Sequence, residues 1–199
     1  MKPLLIHAVI AAIFLAGCAD VKTEVHASGT ATMSEASAGE QTYAFERMPW
    51  QAASADDARY EALVRNQLAH YAFVEAPAPS ARYLVSLAYG SRPATIDIDV
   101  GNCIEPCRST GSTDQHGYRH TLTLRLFDRT RNRETYKVTV TSRDSHADPL
   151  HAIPYLAESV LAMLPYIDDR DWQVTLHQVD TGEDGNLTPD IISVEPLER

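Results

Sequence analysis

The sequence predicts an α+β fold in two layers, a mostly antiparallel sheet with two helices on one of its faces. Apolar residues recur at helical spacing in two segments and alternate with polar residues at period two in several others. The predicted order is β-α-β-β-β-α, followed by an extra C-terminal strand. Helices with one apolar stripe and strands with one apolar face bury both surfaces by packing together, which is the two-layer solution.

Both predicted helices have recognisable N-termini. The first follows Ser54, with Asp57 at the capping-box position. The second begins at Asp148 and Pro149, which resemble an N-cap and first helical residue, and it ends or kinks at Pro165. The apolar stripe of the first helix consists of Tyr60, Leu63, Val64, Leu68 and Tyr71.

The predicted strands are short segments of alternating polarity. The first is "QTYAFERM", and the second is "RYLVSLAYG", which follows a proline-rich breaker. A β-hairpin is predicted where "YRHTLTLRLFD" and "ETYKVTVTS" flank the turn "RTRNR". The last predicted strand is "WQVTLHQV". One face of the hairpin is rich in leucine and valine, whereas the other carries Thr, Arg and Lys and is expected to be solvated.

The N-terminus has the features of a signal peptide. Its apolar run is too short to cross a bilayer, which takes about 20 residues. The run ends in "LAGC", which resembles the lipobox of bacterial lipoproteins. That resemblance implies a signal peptide over 1–17 and acylation of Cys18, and Ala19 fits sorting to the outer membrane. The alternative is an ordinary secretory signal. We expect an outer-membrane protein anchored by lipid on the periplasmic face, in a Gram-negative bacterium.

Composition divides the rest of the chain. Residues 18–40 begin with the lipidated cysteine and lack apolar periodicity, so they are predicted to be a flexible tether. Residues 41–180 are predicted to form one α+β domain, and residues 181–199 an acidic C-terminal tail. The formal charge of −10 argues against a nucleic-acid partner, since proteins bind nucleic acids through clusters of Lys and Arg.

Several phrases resemble a known bacterial lipoprotein family, the one that carries domain of unknown function 4136. They are "RNQLAHYAFVEA", "ARYLVSLAYGSRP", "HTLTLRLFDRTRNRETYKVTV" and "ESVLAMLPYI", and the resemblance covers about residues 41–167. Members of that family often have Gly where this chain has Ala72, and Trp where it has Tyr136. The resemblance implies a fold and a location in the cell envelope. It implies no activity and no catalytic residues.

Two cysteines lie close together in the loop "VGNCIEPCRST". The envelope is oxidising, and Cys18 is expected to be acylated, so Cys103 and Cys107 are predicted to form a disulfide that staples this loop. A redox couple is the less favoured alternative, because such pairs more often have two intervening residues and a helix N-terminus.

No metal or cofactor site is predicted. His146 and His151 are five residues apart across a proline, which does not match the helical spacing of a zinc pair. The segment "DTGEDGNLTPDI" fails as a calcium loop at Gly182 and Ile191. Asp97 and Asp99 could act as a carboxylate pair. The favoured interpretation is that both lie on the solvent-exposed face of a half-buried strand.

The leading functional prediction is a non-enzymatic envelope lipoprotein, an interaction or structural module whose partners are the membrane and another envelope protein. The alternative is a module that binds a small ligand or a metal ion, using a groove between the sheet edge and the 90–118 loop. A hydrolase is a distant third possibility, because no G-x-S-x-G motif occurs in the sequence.

Overall fold

The computed structural model of the protein describes residues 20–28, 41–49, 51, 55–95, 116–166, 170–177 and 189–198. Within them lie eight strands and two helices. None of the described helices has both the length and the apolar character needed to cross a membrane. The elements are β1 (Asp20–Ser28), β2 (Thr42–Phe45), α1 (Ala55–His70), β3 (Val74–Glu75), β4 (Tyr83–Thr95), β5 (His116–Asp128), β6 (Arg133–Asp144), α2 (Pro149–Val160), β7 (Asp171–His177) and β8 (Ile191–Pro196).

The strands form a single open sheet in the order β3-β2-β4-β5-β6-β1-β7-β8. Neighbouring strands are antiparallel, except that β2 runs parallel to both β3 and β4. The predicted α+β fold, with a mostly antiparallel sheet and two helices, is confirmed. Strands β1, β3 and β8 were not predicted.

The prediction of a flexible tether over residues 18–40 is wrong for residues 20–28. These residues form β1, which pairs with β6 on one side and β7 on the other. The side chains of Thr23, Val25 and Ala27 are buried, whereas those of Lys22 and Glu24 are exposed. The segment therefore has the period of a half-buried strand, although threonine and alanine make its buried face look polar or neutral in sequence.

The predicted acidic tail over residues 181–199 also requires correction. Residues 191–196 form β8, which pairs antiparallel with β7 and ends the sheet on that side. Its backbone hydrogen bonds are satisfied on one side by β7. Ile191 and Ile192 lie at its start with 36% and 45% of their surface exposed. The tail is thus an edge strand over these residues.

The core lies between one face of the sheet and the helices. Alternate residues of β5 and β6 supply its centre, and α2 covers them with a nearly all-apolar helix surface. Burying each large side chain contributes about 1.5–3 kcal/mol relative to exposure. The largest fully buried side chains are Tyr43, Leu68, Tyr83, Leu122, Leu124, Leu126, Tyr136, Ile153, Leu156, Leu161, Tyr166 and Leu176.

Helix α1 ends in a Schellman motif that forces an alanine into the left-handed region. The amide of Phe73 donates to the carbonyl of Leu68 at 3.1 Å, and that of Ala72 donates to the carbonyl of Ala69 at 3.0 Å. Ala72 therefore has φ = 61°. A side chain with a Cβ is strained there, and glycine is the residue this position favours.

Replacing Ala72 by glycine is expected to stabilise the protein. The strain relieved at φ = 61° outweighs the entropy that glycine loses on folding, so the free energy of unfolding should rise by about 0.5–1 kcal/mol. Urea denaturation measures this change. The matched control is Ala69→Gly inside the last turn of α1, which should lower the free energy of unfolding by a similar amount. A destabilised Ala72→Gly variant would contradict the helix ending described here.

Candidate metal centre

Three side chains with metal-binding atoms converge where β6 passes into α2. Asp144 is the last residue of β6, His146 lies in the connection, and His151 is in the first turn of α2. One ligand atom from each residue lies within 4.8 Å of the other two. The cluster comes from eight consecutive residues, "DSHADPLH".

Local turn chemistry brings these residues together. The Asp144 carboxylate accepts from the backbone amide of His146 at 3.1 Å, which folds the chain back directly after β6. Asp148 then caps α2, because its carboxylate accepts from the amide of Leu150 at 2.9 Å. Pro149 occupies the first turn, where its missing amide hydrogen costs nothing. The predicted start of this helix at Asp148 and Pro149 is therefore confirmed.

The two histidines share the Asp144 carboxylate. Nδ1 of His146 lies 3.0 Å from Oδ1, and Nδ1 of His151 lies 2.8 Å from Oδ2. The imidazole rings are stacked with their centroids 4.2 Å apart. The Asp144 side chain is 17% exposed, against 59% for His146 and 40% for His151. A small ion can therefore reach the cluster from solvent.

The carboxylate of Asp144 is held in its charged form. Burial alone would raise its pKa, but the hydrogen bonds from His146 and His151 outweigh burial and keep the pKa below its ordinary value. At neutral pH the carboxylate is thus an anionic oxygen donor, and it can attract a cation towards the two Nδ1 atoms that face it.

A second layer of hydrogen bonds supports the connection from inside the core. His120 is fully buried, and its Nε2 donates to the backbone carbonyl of His146 at 2.9 Å. Its Nδ1 then accepts from the hydroxyl of Tyr89. Burial raises the pKa of Tyr89 to about 12, so this hydroxyl keeps its proton at neutral pH. The backbone at His146 is therefore fixed by two side chains that do not join the cluster.

The donor atoms fit a divalent transition metal. With metal–ligand bonds of about 2.0–2.2 Å, a tetrahedral ion holds neighbouring ligand atoms roughly 3.3 Å apart. The two imidazoles lie 3.0 and 2.8 Å from different oxygens of the carboxylate, and one ligand atom of each residue lies within 4.8 Å of the other two, so small side-chain movements would bring the three to this spacing. Imidazole suits zinc, copper, nickel and iron, whereas calcium and magnesium prefer sites made of oxygen atoms.

A hydrolytic serine is not supported at this position. Ser145 Oγ lies 3.2 Å from His146, but it approaches Nδ1, the same ring nitrogen that contacts Asp144. A Ser-His-Asp triad needs the serine and the carboxylate on opposite ring nitrogens. The geometry therefore does not fit nucleophilic catalysis by Ser145.

The structure brings together His146 and His151, although their spacing in the sequence does not match that of a zinc pair on a helix. The third donor, Asp144, was missed because its place next to them depends on the turn after β6. The available signal was the Asp-x-His-x4-His pattern directly after an alternating strand. Other predicted site residues lie outside the described residues: Cys18, Asp97, Asp99, Cys103, Cys107 and the 180–188 part of the acidic segment.

Comparison with protein families identifies the domain. The family described as "Domain of unknown function (DUF4136)" matches residues 33–166. The chain belongs to this family. The predicted DUF4136 domain is thereby confirmed, and the matched residues contain the Asp144–His146–His151 cluster. Strands β1, β7 and β8 lie outside the matched residues.

Other comparisons add no function to this DUF4136 protein. No curated protein matches the chain. A variant PelC dodecamer from Paraburkholderia phytofirmans is 17% identical, with 70% of this chain and 95% of that chain covered and a TM-score of 0.42. The PelC dodecamer from the same organism is 18% identical, with coverages of 70% and 92% and a TM-score of 0.41. A PDZ domain protein from Parabacteroides distasonis is 12% identical, with coverages of 79% and 40% and a TM-score of 0.42.

Proposed function

We propose that this protein is a lipid-anchored protein of the cell envelope whose domain binds one divalent transition-metal ion. The observation that carries the metal assignment is the convergence of Asp144, His146 and His151, with one ligand atom of each within 4.8 Å of the others. The envelope assignment rests on the "LAGC" motif at Cys18. The role is binding, without catalysis, on the periplasmic side of the outer membrane.

Three protein ligands suit an ion that is taken up and released. A closed structural zinc site has four protein ligands, whereas three leave at least one position for water or another ligand. The exposure of His146 and His151 gives the ion a direct path to solvent. We therefore assign the site to exchangeable binding, such as capture or buffering of the metal.

The rest of the fold supports binding with little rearrangement. The carboxylate is already ionised, and its two imidazole partners are already in contact with it. An ion bound between them would take the place of the N–H hydrogens, so uptake would release protons and weaken as the solution becomes acidic. The buried His120 donates a hydrogen bond to the His146 backbone carbonyl and so supports the turn on which the cluster lies.

Calorimetric titration with Zn²⁺ and Ni²⁺ should give one site per chain. The protein carries Cys103→Ser and Cys107→Ser, so that no thiolate of this loop competes for the ion. His151→Gln should weaken the affinity by more than about tenfold, because one of three ligands is lost. Ca²⁺ and Mg²⁺ should give no saturable heat.

The matched control is His26→Gln. His26 is also an exposed histidine, and its Nδ1 lies 2.6 Å from Asp171, but no third His, Cys, Asp or Glu donor of the described residues joins this pair. The control should bind metal like the parent protein. Equal losses in His26→Gln and His151→Gln, or no loss in either, would contradict the assignment.

The lipid anchor has its own test. Cys18→Ala should move the protein from the membrane fraction to the soluble periplasmic fraction, because the acylated cysteine is the proposed attachment. Fractionation followed by immunoblotting measures the change, and Ala19→Ser serves as the neighbouring control. A Cys18→Ala protein that still fractionates with membranes would overturn the anchor and leave the metal site untouched.

A further inference from the structure

We infer that one end of the sheet lies against the bilayer that holds the acyl chains, so that the metal cluster opens at the membrane surface. This end is formed by Asp20 of β1, His177 of β7 and the pair Ile191–Ile192 of β8. The inference rests on the lipid anchor of the proposed function. It adds the orientation of the domain and names the bilayer as the partner of this end.

The first argument is the length of chain between the anchor and the sheet. β1 begins at Asp20, two residues after Cys18. A fully extended chain spans at most about 3.6 Å per residue, so the Cα atoms of Asp20 and Cys18 are at most roughly 7 Å apart. The tether of about 20 residues predicted from sequence would instead have averaged roughly 25 Å. An acylated Cys18 therefore leaves almost no spacer between headgroups and domain.

The second argument is that β1 cannot move independently of the domain. It pairs with β6 over Thr23–Ser28 and with β7 over Asp20–His26. The Thr23 hydroxyl also donates to Ser159 of α2 at 2.7 Å, in the buried layer under the helix. β1 is hydrogen-bonded on both edges and contacts α2 on one face, so it moves with the sheet. The position of Asp20 relative to the membrane therefore determines the position of the whole sheet.

Strand register then determines which residues share this end. His177 is paired with Asp20, and Ile191 is paired with Leu176, the neighbour of His177. On the other side of β1, Ser142 is paired with Thr23, and β6 continues past Ser142 to Asp144 in the direction of Asp20. The metal cluster and the start of β1 therefore lie at the same end of the sheet.

The chemistry of this end suits a lipid surface. Ile191 and Ile192 are among the few exposed large apolar residues in the described part of the chain, and they lie at the same end as Asp20. The other two lie away from this end: Val74 is in β3 at the opposite edge of the sheet, and Met48 lies beside residues in the middle of β4, β5 and β6. The formal charge of −10 gives no general attraction to anionic headgroups. The contact therefore depends on the short linkage and on the two isoleucines.

The test uses the full acylated chain in vesicles of phosphatidylethanolamine and phosphatidylcholine that contain lipids with a spin label near the headgroup. A fluorophore is attached to Ile192→Cys in a protein that also carries Cys103→Ser and Cys107→Ser. The control label is attached to Arg133→Cys. Arg133 is an exposed residue beside the β5–β6 turn, at the opposite end of the sheet.

The spin-labelled lipid should quench the label at position 192 at least about twofold more than the label at position 133. Inserting twelve Gly and Ser residues between Ala19 and Asp20 should reduce the quenching at position 192 towards that at position 133. Equal quenching at the two positions in protein that floats with the vesicles would overturn the orientation while the anchor stands. Protein that fails to float would show that the anchor itself is wrong.

A second copy of the chain is the competing occupant of the β8 edge. If pairing between copies covered Ile191 and Ile192, quenching by lipid would be absent at high protein density and would emerge on dilution to one chain per vesicle. Quenching at position 192 that is the same at both densities supports the bilayer as the occupant. Quenching that emerges only on dilution overturns it.

Discussion

The insertion of β1 between β6 and β7 is the constraint on which the rest of this structure depends. Strand β7 pairs only with β1 and β8 among the described strands, so β1 is the hydrogen-bonded link between the β7–β8 pair and the other five strands. Val25 and Ala27 are each 1% exposed, and Thr23 adds a buried hydrogen bond to Ser159 of α2. Without β1 the sheet would be split and two unpaired strand edges would face solvent, which favours aggregation.

The same constraint relates the candidate site to the proposed anchor. β6 is fixed on one side by β5 and on the other by β1, so its last residue, Asp144, has a defined position at one end of the sheet. The tight turn after it brings His146 and His151 to the carboxylate, and buried His120 holds the turn from below. The candidate site thus depends on core packing, although His146 is exposed and Asp144 and His151 are partly exposed.

Much of the fold could be predicted from the sequence. Apolar residues at helical spacing or at period two indicate which face of a helix or strand is buried. Helix α1 over 55–70 and the hairpin of β5 and β6 are examples. The failures have physical reasons. β1 was missed because its buried face consists of Thr23, Val25 and Ala27, so the period-two alternation is present but its contrast in polarity is weak. Asp144 was not predicted as a ligand because its place beside the histidines depends on the turn after β6, which helical spacing does not reveal. The left-handed conformation of Ala72 is not indicated by alanine itself, and the only sequence signal is the glycine that family members often have there.

Hydrogen exchange measured by mass spectrometry on the full chain tests the central role of β1 most directly. Its amides are paired with β6 and β7, so peptides covering residues 20–28 should be protected to the same degree as peptides from β5. Opening β1 would require breaking the centre of the sheet, and its exchange should therefore approach that of global unfolding. Complete exchange of residues 20–28 within seconds, while β5 stays protected, would contradict this account.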